Sequence, residues 1–197
     1  MKIKKISKRI ISIFLTIVTV VTMLAAVTFT TNAVEWRYVD VMIVGQAHVQ
    51  GKGWDNEIDK KIQFYNPRKE IGQDENIPLF FGTTGESRRL ECIRIGIANE
   101  IIDGSCFHVA CYANGNWIEK RARQVEVGTT GQAKPIEAIK IGLNGAISYY
   151  YDVMYRVHIK GRGWDRWHFG WDDTAGSISE HTCIEALEVK LVPLHHV

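Results

Sequence analysis

Residues 82–97 read GTTGESRRLECIRIGI, and the same phrase returns twice further along the chain. Residues 128–143 read GTTGQAKPIEAIKIGL, and residues 176–191 read GSISEHTCIEALEVKL. A Glu stands nine residues after the first Gly of each phrase, so these three Glu residues are 46 and 48 residues apart. A period in this range indicates a repeat architecture.

A second phrase, ending in Trp, precedes each Gly-rich phrase. Residues 47–54 read AHVQGKGW, residues 157–164 read VHIKGRGW, and residues 110–117 are the more divergent ACYANGNW. Six residues separate His from Trp in the outer two phrases, and the same spacing predicts that Cys111 stands in the His position of the middle one.

The distance from Trp to the repeated Glu differs among the three copies. It is 20 and 21 residues in the second and third copies but 37 in the first, which therefore carries an insertion of about 16 residues between roughly 56 and 77. Surface loops tolerate such insertions well. We therefore predict three repeats of about 47 residues, covering about 39–99, 104–145 and 148–193.

Apolar and polar residues alternate at period two after each Gly-rich turn, which predicts strands and an all-β fold. The alternation slips just after the Glu in every copy, which indicates a β-bulge. Outside the strands, the pattern allows a helical turn or two between residues 60 and 66. Three such units predict a pseudo-threefold closed β fold, either a β-prism or a β-trefoil-like fold, because closure removes long open edges.

The paired phrases resemble the clostridial hydrophobic repeat with a conserved tryptophan, the ChW repeat. The matching features are His-Val-Gln-x-x-Gly-Trp, the Gly-Thr-Thr-Gly turn and the Ile/Leu-Glu-Ala-Ile/Leu-x-Ile/Val phrase, over about 39–192. Residues 151–158, YDVMYRVH, are similar to the segment that precedes the His in that family. The resemblance implies a surface protein that adheres to, or interacts with, carbohydrates or other substrates.

The N-terminus predicts export. Five basic residues between Lys2 and Arg9 precede an apolar run over 10–27, and Thr31-Asn32-Ala33 is a plausible cleavage site. We interpret residues 1–33 as a secretory signal peptide and residues 34–197 as one domain; an uncleaved anchor is the alternative. We expect a secreted or cell-surface protein with no further membrane contact.

Charge and motifs exclude several classes of function. The leader holds 5 of the 24 basic residues and none of the 22 acidic ones, so the mature chain has a net charge of −3, unlike a nucleic-acid binder. The four cysteines do not form a disulfide pattern, and no ligand spacing for zinc is present. With no nucleophile motif and no phosphate-binding loop either, we expect neither metal nor cofactor and no enzymatic activity.

The tryptophans are the first candidates for ligand contact. Indole faces stack well on sugar rings, but a Trp present in every copy is more simply a core anchor, and we interpret Trp54, Trp117 and Trp164 mainly in that way. Trp167 and Trp171 occur in the third copy alone, next to several Asp residues, and are better candidates for a surface site.

The repeated His and Glu residues have structural interpretations as well as functional ones. His48 and His158 are expected to bond a neighbouring turn rather than a ligand. The carboxylates of Glu91, Glu137 and Glu185 are expected to accept backbone N–H groups of the Gly-Thr-Thr-Gly turn, and the Thr hydroxyls to shape that turn.

The sequence thus favours a non-catalytic binding or adhesion module that recognises a polysaccharide or a cell-surface glycan. Up to three shallow sites on one body would gain avidity on a polymer. A protein–protein or cell-wall adhesion module, anchored by the third copy's aromatics, is the alternative. A secreted hydrolase with carboxylates around Asp55, Glu57, Asp59 and Asp74 is a third.

Overall fold

Strands with one inward and one outward face dominate the described residues, as the period-two pattern predicts. The computed structural model describes residues 41–55, 63–65, 78–98 and 104–194, with backbone alone for 63–65. All of them belong to one unit, Tyr38–Val197. The segment predicted to be a signal peptide and most of the predicted insertion lie outside the described residues. Within these ranges the one helical element is a short 3-10 turn, Ala146–Tyr149.

The strands form three antiparallel sheets. The first sheet contains β1 (Val41–Val49), β2 (Gly53–Trp54), β3 (Gln63–Tyr65), β5 (Leu90–Ile97) and β8 (Gln124–Gly128). The second contains β6 (Cys106–Ala113), β7 (Asn116–Ala122), β9 (Ile136–Asn144) and β13 (Ala175–Gly176). The third contains β4 (Leu79–Gly82), β10 (Tyr151–Ile159), β11 (Gly163–Trp164), β12 (His168–Phe169) and β14 (Ile184–Pro193).

The strands β5, β9 and β14, which carry the repeated Glu, lie inside their sheets. On one side each pairs with the strand that leads to the Trp hairpin, namely β1, β6 or β10. On the other side each pairs with a strand that runs into a different Gly-rich phrase: β8 joins β5, β13 joins β9, and β4 joins β14. Each sheet is therefore completed by a strand from another part of the chain.

The predicted bulge is confirmed, and the extra residue is the Glu in all three sheets. In the first sheet His48 pairs with Cys92 and Val49 with Leu90, so Glu91 has no partner residue on β1. The pairing of β6 with β9 omits Glu137, and that of β10 with β14 omits Glu185, in the same way. A bulge re-aims the extra side chain, and in the first and third sheets this places the Glu91 and Glu185 carboxylates beside the His of the Trp hairpin.

A Gly at the first position of each Gly-rich phrase allows close approach of the neighbouring strand. Gly82, Gly128 and Gly176 have φ of +91°, +113° and +84°. A Cβ on any of them would come within 2.3 or 2.4 Å of the carbonyl oxygen of the bulged Glu. No other residue fits that position without strain.

The inward faces of all three sheets share one hydrophobic core. β1 and β10 alternate buried and half-buried residues along their whole length. The core is formed mainly by β-branched and aromatic side chains, such as Ile43, Ile95, Phe107, Ile141 and Val157, which suit a pleated surface.

The four cysteines are free thiols. Cys92 and Cys111 are buried, and this burial raises the pKa of each thiol to about 12. Both are therefore protonated and unreactive at neutral pH.

The helical turn expected between residues 60 and 66 is wrong for Gln63–Tyr65, because these residues pair with Val41–Ile43 as strand β3. None of the residues that the structure describes lies in a helix long and apolar enough to cross a membrane.

Candidate functional site

The tryptophans of the described residues lie on the outer faces of the sheets, so the expectation that Trp54, Trp117 and Trp164 anchor the core is wrong. The buried core cluster contains no Trp among the described residues. Trp117 is 39% exposed, and Trp54 and Trp164 are half-buried. The reason is register: each Trp pairs with a residue whose side chain points outward.

A cation lies against one or two indole rings on the outer face of each sheet. In the first sheet the Arg94 guanidinium is 3.8 Å from the centre of the Trp54 ring. In the second, Lys140 Nζ is 5.7 Å from Trp117 and 5.9 Å from Trp171. These distances fall within the range of cation–π attraction.

The third sheet repeats this arrangement with Arg156. Its guanidinium carbon Cζ lies 4.7 Å from the ring centre of Trp164 and 4.7 Å from that of Trp167. Trp167 and Trp171, predicted together as a surface site, are therefore on different sheets. Trp167 packs on the third sheet, where Lys190 Nζ also contacts it at 4.6 Å, whereas Trp171 packs on the second.

His48 and His158 contact the bulged Glu and the Trp of their own sheet. Their Nδ1 atoms are 3.2 Å from Glu91 Oε2 and 3.1 Å from Glu185 Oε2. Their rings meet Trp54 and Trp164 edge-on at 5.5 and 5.4 Å. Each His therefore contacts a buried carboxylate rather than the expected turn. The contact of His158 with Glu185 is a hydrogen bond, whereas His48 Nδ1, though close to Glu91, has no partner in hydrogen-bonding geometry among the described residues.

Tyr112, not Cys111, takes the position of these histidines in the second sheet. Tyr112 pairs with Trp117 and Ala138, and its ring meets Trp117 edge-on at 5.5 Å. The turn after β6 has two residues, where the turns after β1 and β10 have three. Equal spacing to the Trp therefore identified the wrong residue.

The Glu side chains do not accept the turn N–H groups as we expected. Instead, the backbone carbonyl oxygens of Glu185, Glu91 and Glu137 accept the N–H groups of Thr83, Thr129 and Ser177, at 3.0, 2.7 and 3.0 Å. The hydroxyls of Thr83 and Thr129 are buried without a hydrogen-bond partner, so they do not shape the turn as predicted. Buried Glu137 has a longer contact, 3.7 Å, with His181.

Asp55 and Asp165, which follow the Trp residues, hold the backbone of the hairpins. Asp55 Oδ1 accepts the N–H of Ala47 at 3.0 Å, and Asp165 Oδ1 accepts that of Val157 at 2.8 Å. Asp55 therefore has a structural role. The remaining carboxylates of the hydrolase hypothesis, at positions 57, 59 and 74, lie outside the described residues.

A groove crosses the outer face of the first sheet next to Arg94. Its volume is about 380 Å³, within the range of small-molecule sites. It is lined by Val44, Gln46, Arg94, Gly96, Gln124, Glu126 and the backbone between them. Strands β1, β5 and β8 each contribute two outward residues, so the groove depends on β8 having joined this sheet.

The chain's own side chains fill the corresponding place in the other two sheets. The residue five positions after the bulged Glu is Gly96 in the first sheet, opposite Val44. In the second it is Gly142, opposite His108, and Trp171 stacks on His108 at 3.3 Å with its Cβ 3.0 Å from where a Gly142 Cβ would lie. In the third it is Lys190, which lies against Trp167.

The polar groups of the groove are already oriented by their neighbours. Arg94 Nε donates to Glu126 Oε2 at 2.6 Å, and Arg94 Nη1 to Gln46 Oε1 at 3.4 Å. Gln46 Nε2 donates to the Asp55 carbonyl at 3.1 Å. The groove thus combines two amides and a charge pair without net charge, and the Trp54 ring lies outside its lining, against the Arg94 guanidinium.

Within the described ranges, no three His, Cys, Asp or Glu side chains are grouped so that they could hold a metal ion. Neither a protein-family model, nor a curated protein, nor a solved structure matches the chain.

Sequence reasoning missed the groove residues. Arg94, Gln46, Gln124 and Glu126 looked like ordinary solvent-facing strand positions. The available signal was the Gly at position 96, which leaves one strand without an outward side chain between polar neighbours.

Proposed function

We propose that this chain is a secreted or cell-surface, non-catalytic module that binds polysaccharide, and that the first-sheet groove is its principal site. The groove carries this proposal, because it is open beside Gly96, where the aliphatic part of Gln124 lies against the glycine with its Cγ 2.5 Å from the position of a Cβ. The equivalent places of the other two sheets are covered by indoles of the chain itself.

The chemistry of the groove suits a neutral sugar. Gln46 and Gln124 offer amide donors and acceptors for hydroxyl groups. Trp54 lies outside the lining and holds the Arg94 guanidinium, 3.8 Å from its ring centre. Arg94 and Glu126 neutralise each other at 2.6 Å, so a charged ligand would have to break that pair.

We further infer that the three sheets form a pseudo-threefold closed β fold and that the chain belongs to the ChW class. The cyclic pattern of the three exchanged strands, those that run into one Gly-rich phrase but pair with the Glu strand of another, supports this. β8 pairs with β5, β13 with β9 and β4 with β14. The common bulge at the Glu supports it as well. The exported location rests on the signal-peptide pattern, and the absence of catalysis on the missing nucleophile motifs.

The test is calorimetric titration of the mature protein with soluble neutral polysaccharides, comparing the natural protein with Val44→Trp. Val44 is half-buried and faces the groove, so an indole there should fill it as Trp171 fills the second sheet. We expect saturable binding that is weakened about tenfold or more, which corresponds to about 1.4 kcal/mol.

Ile178→Trp is the matched control, because it adds an indole at an exposed position that does not line the groove. It should bind like the natural protein. Equal affinity of Val44→Trp and the natural protein, with both folded, would contradict the groove as the site.

A protein ligand is the second candidate, and the outer face of the third sheet favours it. Phe80 lies 6.2 Å from Trp164, edge to face, and Phe169 on the same sheet is 52% exposed. Exposed aromatics are typical anchors of protein interfaces. If glycan is the ligand, treating the cell-wall material with protease should leave binding intact, and oxidising that material with periodate should abolish binding. The reverse result favours a protein ligand.

A further inference from the structure

We propose that the outer face of the second sheet is a separate site for an acidic sugar residue, with Lys140 binding the carboxylate between the indoles of Trp117 and Trp171. This inference rests on the proposed function in its choice of a sugar, but it concerns a different face and a different charge class.

Of the three cations Arg94, Lys140 and Arg156, Lys140 is the one that has no carboxylate partner among the described residues. Arg94 in the first sheet is paired with Glu126, and Arg156 in the third is paired with Glu188, each at 2.6 Å. Lys140 follows Glu137 by three residues, as Arg94 follows Glu91. The residue of β6 that pairs with Lys140, however, is Ala110. Its described contacts are the two indole rings.

The nearest carboxylate on the neighbouring strand is already engaged. Glu119 pairs with Ala110 in register, but its Oε1 lies 2.5 Å from His108 Nε2. Arg121 adds a contact of 3.4 Å from Nη2 to His108 Nδ1. Glu119 is therefore held by the buried imidazole beneath Trp171 and does not neutralise Lys140.

The site is ordered before a ligand arrives. Trp171 is fixed by stacking on His108, with the rings 13° from parallel, and Trp117 is fixed at its edge by Tyr112. The residue opposite Lys140 on β6 is Ala110, whose side chain is only a methyl group. A ligand that brings a carboxylate would gain a charge-assisted hydrogen bond to an ammonium whose charge is not compensated.

The two indoles favour an acidic sugar over an acidic peptide. Lys140 Nζ lies at nearly equal distances from both rings, so a group bound to it is flanked by apolar faces. A pyranose presents its own apolar face next to its carboxylate, whereas an extended acidic side chain does not.

The experiment compares oligogalacturonate with its methyl ester, which has the same sugar but no charge. We expect the natural protein to bind oligogalacturonate about tenfold or more tightly than the ester. The affinity for oligogalacturonate should fall as NaCl is raised from about 0.05 M to about 0.5 M, because added ions screen charges. Lys140→Gln should abolish this preference, and Lys140→Arg should retain it. Trp117→Ala should weaken binding of both ligands.

The outcomes separate this site from the first-sheet groove. Val44→Trp should leave oligogalacturonate binding unchanged, and Lys140→Gln should leave binding of neutral polysaccharide unchanged. Equal affinity for acid and ester, or normal acid binding by Lys140→Gln, would overturn the proposal. Binding of polyglutamate as tight as that of oligogalacturonate and insensitive to Trp117→Ala would also overturn it, because it would reveal a surface that recognises charge alone.

Discussion

The bulged Glu is the residue on which two neighbouring parts of the chain meet. Its carboxylate faces the Trp hairpin of its own sheet, as in the contact of Glu91 with His48. Its carbonyl oxygen accepts an N–H from the turn that follows the exchanged strand, as in the bond from Thr129 to Glu91. The Gly before that turn is required because the two backbones approach so closely.

Gly128→Ala should therefore destabilise the protein much more than an ordinary Gly substitution. Gly128 has φ of +113°, and a Cβ would lie 2.4 Å from the Glu91 carbonyl oxygen. A left-handed conformation alone costs about 1–3 kcal/mol for a non-Gly residue, and the clash adds to it. The free energy of unfolding in urea measures the loss.

Gly131→Ala is the matched control. It lies in the same turn with φ of +69°, but a Cβ there would meet nothing within 4 Å. It should show the conformational cost of about 1–3 kcal/mol and no more. Equal losses in both variants would disprove the role of close approach.

At the scale of elements, the segment between β11 and β13 shows how a connection is held by charge. His168 is buried between two carboxylates, with Nε2 2.9 Å from Asp165 Oδ2 and Nδ1 2.8 Å from Asp173 Oδ1. Arg166 donates two hydrogen bonds of 2.8 Å to Asp173. The Tyr155 hydroxyl, whose pKa is raised by burial, donates to the Asp173 carbonyl.

This arrangement predicts a loss of stability in acid. The Arg166 guanidinium, with a smaller contribution from His168, holds the pKa of Asp173 well below its usual range. A carboxyl with a depressed folded pKa stabilises the fold above its unfolded pKa of about 3.9. That stabilisation disappears as pH falls toward the folded pKa.

The measurement is Tm of the natural protein and of Asp173→Asn. The pH should run from about 7 to about 3, because this range includes the unfolded Asp pKa of about 3.9. The variant should be less stable at neutral pH, and the difference should narrow in acid. Asp172→Asn, at an exposed neighbour, should follow the natural protein. A constant difference between Asp173→Asn and the natural protein at all pH values would contradict the assignment.

At the scale of the whole molecule, each sheet contains one strand from another part of the chain, namely β8, β13 or β4. We therefore expect the three sheets to unfold as one cooperative unit. β4 lies before the first Glu strand in sequence, yet it pairs with β14 near the end of the chain. Inward side chains from all three sheets belong to one core. No sheet can lose its exchanged strand without exposing residues that another sheet helps to bury.

Phe81→Ala tests this coupling. Phe81 is fully buried on β4, so its loss should cost about 3–5 kcal/mol. Tryptophan fluorescence, which reports on all three outer faces, and far-UV circular dichroism should show one coincident transition.

Phe80→Ala changes the neighbouring residue, whose side chain is 37% exposed on the outer face, and should cost about 1 kcal/mol. Separate transitions by the two probes in Phe81→Ala would show that the third sheet unfolds on its own and would contradict the coupling.

Much of the local structure follows from the sequence alone. Period-two alternation predicted the long strands, and the common slip predicted a bulge next to Glu91, Glu137 and Glu185. These features depend on residues within one strand and its turn, where side-chain direction and backbone conformation are set by immediate neighbours. The repeated phrases therefore determined the long strands and their bulges, although they did not reveal that each Trp lies on an outer face.

The tertiary structure decided which elements met and what lay between them. Trp167 and Trp171 are four residues apart, yet one packs on the third sheet and the other on the second. Tyr112 faces Trp117 because a turn is one residue shorter, and the groove beside Arg94 exists because β8 joined a distant strand. Strand partners and surface contacts depend on the whole arrangement of backbones, because any strand edge offers the same donors and acceptors. The sequence by itself thus specified strands, turns and bulges, and the assembled sheets specified the candidate sites.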